Sequence, residues 1–286
     1  MTILDLLNQS ANRLSEAGVA DPRREAASLL AFALDKAPAF LIAHPEYELT
    51  DDEAARFDGL MARRANREPF QYITEQQEFY GLDFEVTPDV LIPRPETEIL
   101  VEEAIRELNK LNELNTLREL TVCEIGVGSG CITVSILQNV PAATAIATDI
   151  SEKAIGVAMR NATSHRIADR LTFIEGDLFA GVTEKFDMIV SNPPYIPDAD
   201  LTDMQKEVRD FEPHSALFAG ADGLDIIRRI VNEAPEHLNR GGLLLIEIGF
   251  GQSKVLGDLV DPSIWSKPEF LPDLQSIDRV LKVRLR

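Results

Sequence analysis

The chain has 286 residues, with 45% hydrophobic and 27% charged side chains, as in an ordinary folded globular protein. This composition excludes a mostly disordered chain, and the sequence has no apolar run of the roughly 18 residues that a membrane-spanning helix needs. The formal charge of −20, from 28 Lys and Arg against 48 Asp and Glu, disfavours a nucleic-acid partner, because such partners are usually bound by a basic surface. Two cysteines provide no disulfide framework and fit a reducing cytoplasm. The first twenty residues lack the basic start and apolar run of a signal peptide, so none is expected.

Residues 1–68 are predicted to form a small helical domain, because apolar residues recur there at helical spacing. The positions that predict the apolar faces are Leu4, Leu7, Ala11, Leu14, Ala26, Leu29, Leu30, Ala33, Phe57, Leu60 and Met61. Asp21 is expected to cap a helix that has Pro22 at its first position, and Thr50 is expected to form a capping box with Glu53. The cluster Arg63, Arg64 and Arg67 fits either a solvated helix face or a contact with a partner.

Residues 69–92 are rich in aromatic and β-branched side chains and predict a β-hairpin linker with Gly81 near its turn. In residues 93–286, short apolar strands then alternate with helices. The predicted strands are 120–126, 143–149, 170–177, 186–192 and 242–249, with helices near 130–139, 152–163 and 223–239. Two extended segments, 265–271 and 279–285, follow the last helix. This order predicts an α/β fold with a doubly wound, Rossmann-like sheet that ends in a β-hairpin, which is the methyltransferase variant of that sheet.

A glycine-rich loop follows the first of these strands and precedes a helix that begins at Cys131. The loop, Gly126-Val127-Gly128-Ser129-Gly130, lets the backbone turn sharply and approach a nucleotide-type cofactor. The sixth position of a dinucleotide fingerprint would be glycine but is Cys131, and Glu124 stands two residues before the loop. These features favour S-adenosylmethionine over NAD, with Glu124 taking up the ammonium group. The alternative is a bare tight turn.

Two aspartates at strand ends are further candidates for cofactor binding. Asp149 can accept hydrogen bonds from both ribose hydroxyls, or it can cap the helix that follows. Asp177 can accept from an adenine amino group, and a helix cap is an equally good interpretation.

The fourth strand runs into Asn192-Pro193-Pro194-Tyr195. Two consecutive prolines fix the backbone and leave carbonyls free to accept hydrogen bonds. The Asn192 side chain and the Pro193 carbonyl can together hold both hydrogens of a planar –NH2 group, and Tyr195 is expected to form an aromatic wall. The alternative is a turn built from turn-prone residues.

This motif and five other segments resemble the release factor glutamine methyltransferase family (PrmC/HemK), over essentially the whole chain. The other segments are Arg67–Pro69, Glu78–Leu82, Ile92–Glu98, Asp222–Asp225 and Ser276–Val280. The resemblance implies that the substrate is the glutamine of the Gly-Gly-Gln motif of bacterial class I peptide chain release factors. It also implies that the cofactor is held by Gly126 to Gly130, Asp149, Leu178 and Asn192, and the glutamine by Asn192 to Tyr195. Val127 and Leu178 depart from the family, which often has threonine and a bulky aromatic there.

An amide nitrogen is a poor nucleophile, so the enzyme has to orient it in line with the methyl group. No histidine is required, and His44, His165, His214 and His237 have no metal or triad spacing, so no metal is expected. An adenine-N6 nucleic-acid methyltransferase could use the same pocket, but the acidic charge counts against it. A non-catalytic binding module is disfavoured because Glu124, Asp149 and Asn192 are intact. We expect a cytoplasmic, monomeric enzyme without a direct nucleic-acid substrate, whose helical domain helps to dock the release factor.

Overall fold

The computed structural model describes residues 1–114 and 119–286. They form two compact units, Met1–Gln76 with Gln205–Phe211 and Gln77–Met204 with Glu212–Arg286. The helices are α1 (Ile3–Glu16), α2 (Pro22–Leu34), α3 (Pro38–Ala43), α4 (Asp51–Ala65), α5 (Phe70–Thr74), α6 (Glu98–Leu114), α7 (Cys131–Asn139), α8 (Glu152–Ser164), α9 (Lys206–Phe211), α10 (Asp225–His237) and α11 (Ser253–Leu259). The strands are β1 (Gln76–Phe79), β2 (Leu82–Glu85), β3 (Leu120–Ile125), β4 (Ala143–Asp149), β5 (Leu171–Glu175), β6 (Phe186–Ser191), β7 (Leu238–Glu247), β8 (Glu269–Pro272) and β9 (Asp278–Arg284). None of the described helices is long and apolar enough to cross a membrane.

The first unit is helical, as the sequence predicts, and its core includes the apolar face of α2. The predicted capping box begins α4: the Thr50 hydroxyl accepts from the backbone N–H of Glu53 (3.3 Å), and Glu53 accepts from the N–H of Thr50 (2.8 Å). Asp21 stands at the N-cap with Pro22 at the first helical position, as predicted, but its backbone is left-handed (φ 49°) and among the described residues its side chain makes no capping hydrogen bond. Leu4 is 48% exposed, so the buried face of α1 lies instead around Ile3 and Leu14.

The arginine cluster of this unit is neutralised within the unit. Arg63 pairs with Glu68 at 2.6 Å, while Arg64 and Arg67 both pair with Glu207, at 3.1 and 2.5 Å. Arg64 is only 4% exposed. The cluster is therefore largely an internal ion-pair network, and the solvated-face interpretation is wrong for the buried Arg64. The alternative of a contact with a partner stays a prediction.

The predicted hairpin is present but shorter than residues 69–92. Strands β1 and β2 are joined by Tyr80 and Gly81, which both have positive φ (53° and 74°), as a tight hairpin turn requires. The segment Phe70–Thr74 is a helix, not a strand, and there the sequence prediction is wrong. Tyr72 and Ile73 are buried in it, so packing outweighs their strand propensity.

The second unit is built on a sheet whose strand order is β5-β4-β3-β6-β7-β9-β8. Strands β3 to β7 are parallel, and β9 pairs antiparallel with both β7 and β8, which confirms the predicted carboxyl-terminal hairpin. Successive residues of β3 face opposite sides of the sheet: Val122 belongs to one buried apolar cluster and Cys123 to the other. The strand order changes direction between β3 and β6, and ligands of such sheets bind at the carboxyl ends beside that point.

Candidate active site

A cavity of about 360 Å³ opens in the second unit where β3, β4 and β6 end, a size that suits a cofactor or small-molecule group. The structure brings most of the predicted site residues together in its wall. These are Glu124, Gly126, Val127, Gly128, Ser129, Asp149, Asp177, Leu178, Asn192, Pro193 and Pro194. Two predicted residues, Gly130 and Tyr195, stand outside the wall.

The glycines of the loop serve two different purposes. Gly126, Gly128 and Gly130 all have left-handed backbones, with φ of 78°, 52° and 81°. A Cβ atom added at Gly126 or Gly128 would enter open space, so their lack of a side chain keeps the cavity free. A Cβ atom at Gly130 would lie 3.2 Å from the Cβ of Ala158, so this glycine, which directly precedes α7, serves close packing instead.

Glu124 is a completely buried carboxyl group at the floor of the cavity. Its Oε2 accepts from the backbone N–H of Thr133 at 3.0 Å, while its Oε1 is buried and has no hydrogen-bond partner in the described part of the chain. Burial, reinforced by the nearby charge of Asp149, raises the pKa of Glu124 to about 8. An orphaned buried acceptor is costly, so the site is complementary to a ligand that brings a positively charged donor.

Asp149 is held by the loop rather than by the helix. Its Oδ2 accepts from the N–H of Gly128 and its Oδ1 from the N–H of Ser151, each at 2.9 Å. The cap of α8 is Ser151, whose hydroxyl accepts from the N–H of Ala154 at 3.2 Å. The helix-cap alternative for Asp149 is therefore wrong. Each carboxylate oxygen keeps a free lone pair with which it can accept from a hydroxyl group.

Asp177 and Leu178 also line the cavity. Both oxygens of Asp177 accept from Arg229, at 3.1 and 3.0 Å. The side chain is therefore held by an ion pair and does not cap a helix. Leu178 is 8% exposed and has a left-handed backbone (φ 52°), which is strained for a branched side chain. Such strain is tolerated where the surroundings fix the residue, and it is common at ligand sites.

The first three residues of the NPPY segment line the same cavity as Glu124. The Asn192 side chain donates through Nδ2 to the hydroxyl of Thr97 at 3.1 Å. Ser191 donates to the carbonyl of Ile125 at 2.7 Å, which ties the end of β6 to the end of β3. Pro193 is buried and Pro194 partly exposed, and both contribute to the wall.

Tyr195 does not form the predicted aromatic wall. Its ring packs against an apolar core cluster, and its hydroxyl donates to Oε1 of Glu247 at 3.3 Å. Burial, followed by the charge of Glu247, raises the pKa of Tyr195 well above its usual range. Its carbonyl accepts from Nε2 of Gln252 at 3.0 Å, so this tyrosine is anchored at both ends.

Several cavity residues were missed from the sequence. Thr97 and Arg94 belong to the Ile92–Glu98 segment, which the sequence analysis quoted only for its resemblance. Arg94 donates to Oε1 of the buried Glu212 at 2.5 Å, and burial raises the pKa of that carboxyl group despite the arginine. Ile150 is 67% exposed beside Asp149 and offers an apolar face.

The histidines and cysteines give no other chemistry. Among the described residues, no group of three or more His, Cys, Asp or Glu side chains could hold a metal ion. Cys123 and Cys131 are buried free thiols, and burial raises the pKa of both well above the usual value. Both thiols are unreactive, because a thiol needs its ionised form to react, although Cys131 also lines the cavity.

The sheet is doubly wound and ends in a hairpin, and the glycine loop and the Asn-Pro-Pro-Tyr segment meet at one cavity. These features define the class of Rossmann-like methyltransferases. Residues 5–74 match the family model of the PrmC N-terminal domain, and residues 108–208 match that of the methyltransferase small domain. The catalytic domain of hMettl16 shares the fold, with a TM-score of 0.56 at 16% identity over 88% of this chain and 91% of that one.

Two curated relatives identify the family more closely. A release factor glutamine methyltransferase of Geobacter sulfurreducens is 44% identical over 99% of this chain and 97% of its own. One of Cereibacter sphaeroides is 42% identical over 100% of this chain and 99% of its own. The chain belongs to the release factor glutamine methyltransferase family, which confirms the resemblance seen in the sequence motifs.

Proposed function

We propose that this chain methylates the side-chain amide nitrogen (N5) of the glutamine in the Gly-Gly-Gln motif of bacterial class I release factors, using S-adenosylmethionine. The observation that carries the proposal is that Asn192 and Pro193 share one cavity with Glu124 and the glycine loop. An acceptor pair for a planar amide therefore adjoins a pocket that suits a cationic, nucleotide-type cofactor. Family membership gives the substrate class.

The residues of the cavity fit the cofactor. The orphaned Oε1 of Glu124 suits its ammonium group, and the free lone pairs of Asp149 suit its ribose hydroxyls. Open space at Gly126 and Gly128 allows close approach to the backbone. When bound, S-adenosylmethionine supplies an electrophilic methyl group on a sulfonium.

The chain's own contribution to the chemistry is orientation and charge stabilisation. Asn192 Oδ1 and the Pro193 carbonyl accept the two N–H groups of the substrate amide and point its nitrogen towards the methyl group. Such positioning can supply several kcal/mol. Because positive charge develops on that nitrogen during transfer, both acceptors bind the transition state more tightly than the ground state. The methylated nitrogen is acidic and releases its proton without a dedicated strong base.

The alternative of an adenine-N6 nucleic-acid methyltransferase gains no support from the site. Its phosphate contacts would need uncompensated positive charge. Arg63, Arg64 and Arg67 are each paired with a glutamate, and the whole chain carries a net charge of −20.

Docking of the release factor by residues 1–68 stays part of the proposal. A Gly-Gly-Gln loop alone buries little surface, so selective binding calls for a second contact. Three further expectations also stay predictions: the domain limits 1–68, 69–92 and 93–286, the monomeric state and the cytoplasmic location. The three arginines are already paired with glutamates, so a docking contact through them would have to compete with these ion pairs.

The test is transfer of a labelled methyl group from S-adenosylmethionine to purified class I release factor. Label should appear on the factor with the native motif and be absent when the motif glutamine is replaced by alanine. Mass spectrometry of the tryptic peptide should place the methyl group on that glutamine. Label on the alanine variant, or methylation of RNA or DNA in its place, would overturn the proposal.

A further inference from the structure

We propose that Thr97, Glu247 and Tyr195 are positioning residues that set which end of the Asn192 carboxamide faces the substrate. This inference rests on the proposed function and deepens it. Asn192 has an oxygen and an NH2 group at the two ends of a planar amide, and a rotation of half a turn exchanges them. The oxygen accepts a substrate N–H, whereas the NH2 group would repel it.

The geometry places a buried polar chain directly behind Asn192. Its Nδ2 donates to the Thr97 hydroxyl at 3.1 Å, and Thr97 is 2% exposed. The Thr97 hydroxyl lies close enough to Glu247, at the end of β7, to counteract by hydrogen bonding the rise that burial causes in the pKa of that carboxyl group. The Tyr195 hydroxyl donates to Oε1 of the same carboxyl group at 3.3 Å. Glu247 is 2% exposed.

The direction of these hydrogen bonds follows from the chemistry of their ends. Above its pKa of about 7, Glu247 is ionised and can only accept, so Thr97 donates its single proton to it. The Thr97 oxygen then has only lone pairs to offer to Asn192, which therefore presents its NH2 group inward. The oxygen of Asn192 is left facing outward, where the substrate amide arrives.

Packing alone does not account for a carboxyl group at this position. Burying an ionisable group without full compensation is costly, and Oε2 of Glu247 has no close partner among the described residues. The backbone of the NPPY loop is already held by Gln252, which donates to the Tyr195 carbonyl at 3.0 Å and accepts from Gly249 at 2.8 Å. Glu247 is therefore not needed to fix the path of the backbone, and its contacts lead to the side chains of Asn192 and Tyr195 instead.

The test uses two substitutions of one residue in the full-length enzyme. Thr97→Val keeps the shape of the side chain but removes the hydroxyl group, and Thr97→Ser keeps the hydroxyl group. We expect Thr97→Val to lower kcat for the release factor by roughly thirtyfold or more, with cofactor Kd changed less than about threefold. Thr97→Ser should recover most of that loss. Thermal melting of both variants shows whether the fold is kept.

A double substitution shows whether Thr97 acts through Asn192. If it does, Thr97→Val should have almost no further effect on kcat in an Asn192→Ala background, because coupled residues are not additive. Unchanged kcat in Thr97→Val, or losses that multiply in the double variant, would overturn the inference while leaving the proposed function standing.

Nuclear magnetic resonance separates the inference from the proposed function. The side-chain NH2 signals of Asn192, identified by their loss in Asn192→Ala, should be protected from exchange in the wild type and in Thr97→Ser. They should exchange faster and shift in Thr97→Val. If the wild type fails to methylate release factor, the proposed function falls, and these signals alone decide the orientation. If the NH2 signals of Asn192 are the same in the wild type, Thr97→Ser and Thr97→Val, the proposed role of Thr97 in orienting Asn192 is refuted.

Discussion

The buried carboxyl group of Glu124 predicts a pH dependence of cofactor binding. In the free protein its pKa is about 8, because it is buried and lies near Asp149. Only the ionised form complements an ammonium group, so the protein must lose a proton before or during binding. Affinity should therefore fall as the pH drops below the pKa of this group.

The size of the effect follows from the fraction of Glu124 that is ionised. With a pKa of about 8, that fraction is about 1% at pH 6 and about 24% at pH 7.5. Apparent Kd scales inversely with the competent fraction, so it should rise about 25-fold between these two pH values, or about 2 kcal/mol. The α-amino group of the cofactor, with an ordinary pKa of about 7.7–8.0, also begins to lose its proton towards pH 7.5. The comparison with Glu124→Gln, in which only the cofactor titrates, therefore isolates the contribution of the protein.

Isothermal titration calorimetry measures this directly. Kd for S-adenosylmethionine should be determined at several pH values, in pairs of buffers with different ionisation enthalpies. Near pH 7, binding should release close to one proton, since about nine-tenths of Glu124 is protonated there. Glu124→Gln, which has nearly the same shape, should bind more weakly at high pH and show almost no pH dependence. A flat wild-type profile, or the same slope in Glu124→Gln, would refute the role of this carboxyl group.

Three further substitutions test other parts of the argument. Asn192→Ala should lower turnover roughly a hundredfold with cofactor Kd nearly unchanged, because it removes an oriented acceptor; near-normal turnover would reduce the segment to a turn. Gly128→Val should abolish cofactor binding in calorimetry. The control is Gly241→Val, because Gly241 also has a left-handed backbone beside open space but lies outside the cavity wall; this variant should only lower the melting temperature. Equal losses of binding in the two variants would point to backbone strain alone. Burial raises the pKa of Glu107, but hydrogen bonds from two lysines outweigh it and lower the pKa to about 2. The stabilisation that ionised Glu107 gives to the folded protein should be complete above the pKa that this group has in the unfolded chain, and it should be lost as the pH falls towards 2. Glu107→Gln should therefore unfold more easily near neutral pH but lose less stability on acidification, as measured by circular dichroism with urea.

The catalytic sheet could be predicted from the sequence because its signals are local. Its central strands are buried on both faces, so they appear as apolar runs, and each ends in a polar or glycine-rich segment. The end of β4 at Asp149 and the start of α7 at Cys131 agree with the prediction to the residue. The carboxyl edge of such a sheet gathers these ends, which is why the glycine loop and Asn192 could be assigned to one site before any coordinates.

Features that depend on distant partners could not be predicted in the same way. The arginine cluster looked like exposed charge because its partner Glu207 lies 140 residues beyond Arg67. The strand-like composition of Phe70–Thr74 gave way to a helix, since burial of Tyr72 decides the local structure there. Neither outcome leaves a trace in a short sequence window.

The error at Tyr195 came from considering its ring and not its hydroxyl group. A phenol also needs a hydrogen-bond partner when it is buried, and here the partner is Glu247, 52 residues later. The segment that contains Thr97 showed a family resemblance in the sequence but no physical role. Only the fold joins these positions into one polar chain behind Asn192.

Two buried carboxyl groups with raised pKa values therefore have different roles, and their surroundings distinguish them. Oε1 of Glu124 lacks a protein partner at a cavity wall, so its complement has to come from a ligand. Glu247, whose pKa burial raises to about 7, receives hydrogen bonds from Thr97 and Tyr195 and lies outside the cavity wall. Titration of the first should change the affinity for the cofactor, and loss of the second should change turnover. Glu247→Gln should accordingly lower kcat while the Kd of S-adenosylmethionine keeps its wild-type pH profile, whereas a changed Kd profile in that variant would contradict this division of roles.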